Sequence, residues 1–380
     1  MTRLECYLDY NAGAPLKPAV AAAMAEMRAS PGNPSSVHRF GRLARRAVED
    51  ARAQVAALVG AAPADVVFTG GGTEANNLAL KGCGRRRLIV SAIEHDSVLR
   101  AAPEATRVPV DGDGVVDLAA LASALASDDT PAVVSVMLAN NETGVIEPAV
   151  EVAALAHAHG ALFHCDAVQG AGKIPVDVAA LDADLASLSA HKLGGPQGVG
   201  ALVVRERVAL EPLVCGGRQE SGRRAGTENV AGIVGFGVAC ALAADDLAAA
   251  GRLAELRDEV ERRLVAIAPD ARVFGAAAGR LPNTTCLTMP GVASETQVMA
   301  LDLAGVAVSA GAACSSGKVS TSHVLGAMGA GEDEAGSAIR VSLGWCSTGD
   351  DVERLVEAWG ALYARTRASA ARDDAPSPAA

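Results

Sequence analysis

A serine, a histidine and a lysine lie together at the end of one apolar run. Ser189, His191 and Lys192 follow the run at residues 185–188 and precede a Gly/Pro cluster at 194–196. A lysine that is enclosed at the end of a strand can act as an amine nucleophile. Because most lysines at strand ends are solvated, this group alone leaves a surface charge as the alternative.

Polar side chains also follow several other apolar runs that predict strands. They are Thr73, His95, Asn141, Asp166 and Gln169. Ligands of open parallel sheets bind outside the carboxyl ends of the strands. Together with Lys192, these side chains therefore predict one site at one edge of a sheet.

The elements that must position these side chains alternate along the chain. Strands are predicted at 66–69, 88–91, 133–138, 161–166, 185–188 and 199–204, and helices include 18–28 and 149–159. This alternation predicts an α/β fold, with a mainly parallel sheet covered by helices on both faces. The mixed strands and helices of the C-terminal third predict a smaller α+β domain.

These patterns divide the chain into two domains and a tail. We predict a large domain over 15–247, a small domain formed by 1–14 and 248–366, and a disordered tail over 367–380. No internal repeat is evident.

A glycine turn links the first of these strands to a helix. Gly70, Gly71, Gly72 and Thr73 precede apolar residues at helical spacing. This order, in which a strand is followed by a glycine turn, a hydroxyl residue and a helix, directs backbone N–H groups toward an anion. The segment alone favours the simpler interpretation, a tight turn with a threonine N-cap.

Composition excludes several classes of function. The chain has 380 residues and a net charge of −11, which argues against a nucleic-acid or membrane-surface binder. No apolar run approaches the roughly 20 residues that span a bilayer, and no signal-peptide core is evident, so a cytoplasmic protein is expected. The eight cysteines form no Cys-x-x-Cys pair, so no metal site is expected.

The predicted site has the groups that pyridoxal phosphate requires. Lys192 could hold an aldehyde cofactor, and Asp166 could keep a ring nitrogen protonated so that the ring acts as an electron sink. Gln169 could bond the ring hydroxyl, and His95 could stack on the ring. Each has a structural alternative: Asp166 as an N-cap, Gln169 as a first-turn polar residue, and His95 as a structural hydrogen-bonding group.

The chain resembles the cysteine desulfurases of the NifS/IscS type, in the class V aminotransferase group of fold-type I pyridoxal phosphate enzymes. The resemblance runs from about residue 7 to about 355. The motifs that carry it are at residues 32–35, 68–77, 94–95, 140–144, 166–169, 189–192, 216–229, 309–315 and 339–344.

The resemblance implies a role for each candidate residue. Lys192 would carry the cofactor, Asp166 would pair with the pyridine nitrogen, and Gln169 and His95 would face the ring. The phosphate would be bound by Gly72, Thr73, Ser189 and His191 of one subunit and by Thr227 of its neighbour, which implies a homodimer. Arg340 would bind the substrate carboxylate with help from Asn141.

Cys314 is the residue that the resemblance connects to sulfur transfer. It lies in a segment rich in Gly, Ala and Ser at 309–322, which we expect to be mobile and exposed, whereas the other seven cysteines are expected to be packing residues. The implied reaction converts L-cysteine to L-alanine and leaves a persulfide on Cys314. The segment length resembles the long-loop NifS/IscS branch.

Three departures and several alternatives remain. Residues 11–14 lack the usual hydroxyl groups, Ala190 replaces a usual glycine, and Gly70 replaces a usual serine. A class V aminotransferase would not need Cys314, a selenocysteine lyase is a close variant, and a catalytically silent partner would not need Lys192. The sulfur acceptor is open among an iron–sulfur scaffold, nitrogenase maturation and tRNA thiolation.

Overall fold

The computed structural model describes residues 6–30, 32–311 and 322–373. The strands are β1 (Cys6–Tyr7), β2 (Val66–Thr69), β3 (Arg87–Ser91), β4 (Thr106–Val108), β5 (Ala132–Met137), β6 (Leu162–Asp166), β7 (Leu185–Ser189), β8 (Gly200–Val204), β9 (Thr284–Thr288), β10 (Val306–Ala307), β11 (Ser309–Ala310) and β12 (Ala338–Ser342). The α-helices are α1 (Pro18–Ala29), α2 (Arg39–Leu58), α3 (Gly72–Gly82), α4 (Asp96–Leu99), α5 (Leu118–Ala126), α6 (Ala149–Ala158), α7 (Val230–Ala248), α8 (Ala250–Ile267), α9 (Ser294–Leu303), α10 (His323–Ala327), α11 (Glu332–Gly336) and α12 (Gly349–Asp373). Short 3-10 turns occupy Pro63–Asp65, Ala190–Lys192 and Gln219–Gly222.

Seven strands form one sheet in the order β2-β8-β7-β6-β5-β3-β4. Strand β8 is antiparallel to both of its neighbours, and the other adjacent pairs are parallel. All of these strands except β8 therefore run in the same direction and end at the same edge. This arrangement confirms the predicted mainly parallel sheet and places the ends of β2, β3, β5, β6 and β7 together.

Successive strand residues face opposite sides of this sheet, and both sides are covered by helices. Val134 packs in one apolar cluster with Val152 of α6 and Phe236 of α7. Its neighbour Val133 packs in another cluster with Leu78 of α3. Apolar residues in nearly every strand position are the consequence of burial on both faces, and they confirm the predicted layering.

A separate apolar cluster joins the N-terminal segment to the C-terminal third of the chain. Leu8 packs there with Leu264 of α8, Leu287 of β9, Ile339 of β12 and Trp359 of α12. Strands β11, β12 and β9 form an antiparallel sheet, and β1 pairs with β10 in parallel. The cluster combines the segments assigned to the small domain, whose boundaries stay a prediction.

Two elements differ from the sequence expectations. By length and composition, α7 could cross a membrane, contrary to the expectation that no apolar run is long enough. The apolar character of α7 comes from core packing, since Ile233, Phe236 and Cys240 lie in the cluster on the sheet and the helix also packs on α1 and α2. No other described helix meets the same test.

The predicted tail also begins too early. Helix α12 continues to Asp373, so the prediction of disorder from residue 367 is wrong for its first part. Arg367 donates hydrogen bonds to Asp270 and to the hydroxyl of Tyr363, and these contacts extend the helix. Residues 374–380 lie outside the described part of the chain.

A buried ion pair fastens α2 to the sheet and to the 3-10 turn Gln219–Gly222. Arg52 donates from Nη1 to Glu220 Oε2 at 2.7 Å and from Nη2 to Oε1 at 2.9 Å. The same carboxylate accepts the backbone N–H of Phe68 at 2.9 Å. Loss of either partner would leave an uncompensated charge in the interior.

We expect Arg52→Met to lower the free energy of unfolding by about 3 kcal/mol, because Glu220 loses its charge partner. Chemical denaturation of the two proteins measures the difference. Arg46→Met is the matched control: its pair with Asp50 is exposed at 3.7 Å and is expected to contribute less than about 0.5 kcal/mol. Equal losses in the two variants would contradict the role of the buried pair.

Candidate active site

A cavity of about 690 Å³ lies at the edge where the parallel strands end. Among the described residues, it brings together every predicted site residue except Thr227. Those that line it are Gly72, Thr73, His95, Asn141, Asp166, Gln169, Ser189, His191, Lys192 and Arg340. The convergence follows from the common direction of β2, β3, β5, β6 and β7, because each contributes residues at or just after its carboxyl end.

Lys192 ends the 3-10 turn that follows β7. Its Nζ donates to the backbone oxygen of Asn11 at 2.6 Å and to that of Ala12 at 2.9 Å. The backbone N–H of Ala14 in turn donates to the oxygen of His191 at 2.8 Å. The N-terminal segment therefore reaches the lysine through its backbone, which the residue types of the segment do not reveal.

Asp166 is the last residue of β6, and only 6% of its surface is exposed. Its Oδ2 accepts from Asn76 Nδ2 at 2.7 Å, and its Oδ1 accepts the backbone N–H of Val168 at 3.0 Å. The second contact caps a turn, but the helix N-cap that was the structural alternative for Asp166 is wrong, because residues 168–170 form a turn and not a helix. The carboxylate thus caps the turn and lines the cavity in one fixed orientation.

His95 is held by the same network. It is the N-cap of the single-turn helix α4, and its Nδ1 accepts the backbone N–H of Ser97 at 3.1 Å. The hydroxyl of Ser97 lies 2.8 Å from Nδ1 and accepts from Asn76 Nδ2 at 2.8 Å. In the neutral ring these contacts assign the hydrogen to Nε2.

The glycine turn opens α3 at the cavity wall. The N-cap is Gly71, whose φ of +144° favours glycine, so the expected threonine N-cap is wrong. Thr73 is the second helical residue. A Cβ at Gly72 would lie 3.1 Å from Val168 Cγ2 and 3.5 Å from Ser189 Cβ, so a side chain there would crowd the wall. The first-turn N–H groups and the positive end of the helix dipole suit an anion.

His191 contributes an imidazole to this wall. Burial, assisted by the charge of Lys192, lowers the pKa of His191 to about 4. The imidazole ring of His191 is therefore neutral near pH 7 and can donate a hydrogen bond to an anion without carrying a charge. Ser189 adds a buried hydroxyl at the end of β7.

Arg340 is a buried cation on the opposite side, in β12. It is 3% exposed, and it donates from Nη2 to Asp9 Oδ1 at 2.7 Å and from Nη1 to the backbone oxygen of Asn141 at 2.9 Å. Its Nε has no hydrogen-bond partner among the described residues. A buried guanidinium with an unused donor is suited to a carboxylate ligand.

The predictions for the cysteines and for Thr227 are not confirmed by the cavity. Cys314 lies outside the described residues, although Gly311 and His323, near either end of its segment, line the cavity. Cys215 and Cys346 are exposed, so the expectation that both are packing residues is wrong. Thr227 is exposed and is not among the described residues that line the cavity, so its contribution to a neighbouring subunit stays a prediction.

Asn76, Asn11 and Lys173 contact the predicted site residues Asp166 and Gln169, but the sequence analysis did not identify them. Asn76 belongs to a motif that carries the resemblance, but only its burial on α3 reveals its contact with Asp166. Asn11 and Lys173 contact each other and Gln169 across the site. A polar residue in a helix that is otherwise apolar on the same face is the signal that could have identified Asn76.

We expect Asn76→Leu to lower the free energy of unfolding by about 2 kcal/mol, because Asp166 and Ser97 lose a buried donor. Urea denaturation measures this change. The matched control is Asn77→Leu, since the amide nitrogen of Asn77 donates to the backbone oxygens of Thr73 and Ser97 and not to a side chain of the described site. A loss in the control as large as that in Asn76→Leu would argue against the special role of Asn76.

Comparison with known proteins places this geometry in a family. The profile described as Aminotransferase class-V matches residues 6–355. The chain is 44% identical over 377 residues to a cysteine desulfurase of Cereibacter sphaeroides, covering 95% of this chain and 96% of the relative. It is 43% identical over 379 residues to the cysteine desulfurase IscS of Dictyoglomus turgidum, covering 93% and 95%.

Solved structures agree with the sequence relatives. A NifS-like protein from Rickettsia africae superposes with a TM-score of 0.88 at 36% identity and covers 95% of this chain and 99% of its own. SspA in complex with cysteine superposes with a TM-score of 0.77 at 29% identity, covering 89% and 98%. The family match spans most of the chain and includes every element that contributes to the cavity. The chain therefore belongs to the class-V aminotransferase family.

Proposed function

We propose that this protein is a pyridoxal-phosphate-dependent cysteine desulfurase, which converts L-cysteine to L-alanine and collects the sulfur on Cys314. The observation that carries the proposal is the presence of Lys192, Asp166 and the N-terminus of α3 around one cavity. The names of the relatives and the neighbour with bound cysteine support the same reaction and substrate.

The residues of the cavity fit pyridoxal phosphate. Gly72 leaves space beside Ser189 and Val168 that a Cβ would crowd, and the adjacent helix N-terminus suits the phosphate. Asp166 offers a fixed carboxylate for a pyridine nitrogen. Lys192 would hold the aldehyde carbon through Nζ, His95 would cover one face of the ring, and Gln169 would face the ring oxygen.

When bound, pyridoxal phosphate supplies an electron sink for negative charge at the substrate α-carbon. Arg340 would bind the substrate carboxylate, with Asn141 beside it, since both residues line the cavity. Lys192 would take the α-proton at Nζ once it is released from the cofactor. The backbone oxygens of Asn11 and Ala12, which now accept from Nζ, would orient the amine.

The sulfur step belongs to Cys314. Its thiolate would attack the sulfur of the bound L-cysteine, so that an S–S bond forms while the substrate C–S bond breaks. The electron pair of the broken bond remains on carbon and is protonated, which gives L-alanine and a persulfide on Cys314. A class V aminotransferase would use Lys192 and Asp166 in the same way but would not need this thiol.

The assembly and setting are part of the proposal. A homodimer would bring Thr227 of a second copy to the phosphate, which suits its exposed position outside this chain's own cavity. The persulfide would pass to an acceptor protein, either an iron–sulfur scaffold or a thiolation enzyme. We infer a cytoplasmic enzyme that binds neither nucleic acid nor membrane, in keeping with the net charge of −11.

We expect Cys314→Ser to reduce alanine formation from L-cysteine by about 100-fold or more, because the sulfur acceptor is lost. Mass spectrometry should find added sulfur on Cys314 of the unmodified chain after incubation with L-cysteine. The matched control is Cys215→Ser, at an exposed cysteine away from the cavity. Full alanine formation by the Cys314 variant would instead favour an aminotransferase or lyase that needs no thiol.

Lys192→Ala is expected to abolish the visible absorbance of the protein-linked cofactor and to reduce turnover by about 1,000-fold. Absorbance spectra of the purified variant, after incubation with pyridoxal phosphate and removal of the excess, measure the first effect. Lys81→Ala, at an exposed position of α3, serves as the control. An unchanged spectrum in Lys192→Ala would exclude Lys192 as the attachment point.

A further inference from the structure

Lys173 is a second lysine beside the cavity, and the mechanism described above does not use it. Its Nζ donates to Asn11 Oδ1 at 2.8 Å and also to Gln169 Oε1. Lys192 donates to the backbone oxygen of the same Asn11. The two lysines therefore contact different oxygen atoms of a single residue, and Lys173 also donates to the amide oxygen of Gln169.

The contact with Lys173 determines which end of the Gln169 amide faces which group. A lysine side chain can donate hydrogen bonds to two oxygens with either two or three hydrogens, and its ammonium form cannot accept one. In the structure the oxygen of Gln169 lies toward Lys173 and accepts from its Nζ. Gln169 Nε2 then donates one hydrogen to the backbone oxygen of Asn11 at 3.0 Å. The second N–H hydrogen remains for a ligand oxygen in the cavity that Gln169 lines.

The charged surroundings of Lys173 agree with a role inside the site. Burial lowers the pKa of Lys173, and the charges of Lys192 and Arg340 lower it further. Tyr10 and Asp246 line a small second cavity that Lys173 and Lys192 also line. A buried amine near other cations is destabilised unless it is hydrogen-bonded. The two oxygens that accept from Lys173 provide these compensating hydrogen bonds.

We propose that Lys173 is a positioning residue that turns the N–H end of Gln169 toward the ring oxygen of bound pyridoxal phosphate. The proposal rests on the proposed function, because it assigns an orientation to a residue that faces this cofactor. An N–H donor favours the anionic form of the ring oxygen. Without Lys173 the amide could rotate and present its own oxygen, which would disfavour that anion.

The test is a pH titration of the visible absorbance of the holoenzyme. We expect Lys173→Met to raise the midpoint by about 1 pH unit, since the ring oxygen loses a donor. Lys173→Arg, which keeps a donor-only cation, should shift the midpoint by less than half as much. If Lys173→Met does not fold, Lys173→Gln replaces it, and its midpoint is compared with that of Lys173→Arg. A glutamine at position 173 can turn its own oxygen toward Gln169, which an arginine cannot do.

A double-variant cycle separates this role from a direct effect of charge. In the Gln169→Leu background, Lys173→Met should cause no further shift, because the group through which it acts is absent. Lys81→Met, which removes an exposed lysine of α3, is the control and should leave the midpoint unchanged.

The outcomes distinguish this proposal from the function on which it rests. An unmoved midpoint in Lys173→Met, or an equal shift with and without Gln169, would overturn the role of Lys173 while leaving the enzyme intact. A wild-type holoprotein that shows no visible absorbance dependent on Lys192 would overturn the proposed function as well.

Discussion

The contact between the Lys192 amine and the backbone oxygens of Asn11 and Ala12 joins the two halves of the site. Lys192 belongs to the edge of the seven-stranded sheet, whereas the segment that ends at Asn11 packs with the C-terminal strands. Leu8 lies in their apolar cluster, and the N–H of Asn11 donates to Ser342 Oγ at 3.0 Å. The position of the lysine therefore depends on how the first residues of the chain dock against the last third.

Charge in the cavity is arranged in separate layers. Asp166 lies at the sheet edge with fixed hydrogen bonds, while Arg340 lies on β12 and is partly neutralised by Asp9 at 2.7 Å. Lys192 and Lys173 both donate to oxygens of Asn11. Such an arrangement suits a ligand that carries a cationic ring nitrogen at one position and anionic groups elsewhere, because each charge meets a partner of opposite sign that is already oriented.

The sheet and most of the cavity could be predicted because their signals are local. A buried strand appears as a short apolar run, and a polar residue just after it falls at the strand end whatever the distant parts of the chain do. Asn11, Asn76 and Lys173 could not be assigned in this way, since each contacts a partner at least 90 residues away in the sequence. Asn76 donates to Asp166, and Lys173 donates to Asn11 in the N-terminal segment. The exposure of Cys346 was also missed, and its thiol lies 2.7 Å from the hydroxyl of the buried Tyr10, far away in the sequence.

The departures from the usual family pattern have a structural explanation at each of the three positions. Ala190 is buried in the large apolar cluster, where its methyl group packs and its N–H donates to Val199, so an alanine fits in place of glycine. The segment at 11–14 supplies backbone oxygens to Lys192 rather than hydroxyl groups. At Gly70 the N–H donates to Glu74 Oε2 at 2.7 Å, and a Cβ would come within 2.7 Å of that same oxygen. A serine at position 70 would thus require Glu74 to move away from its ion pair with Arg224. The glycine at position 70 therefore allows Glu74 to keep this ion pair.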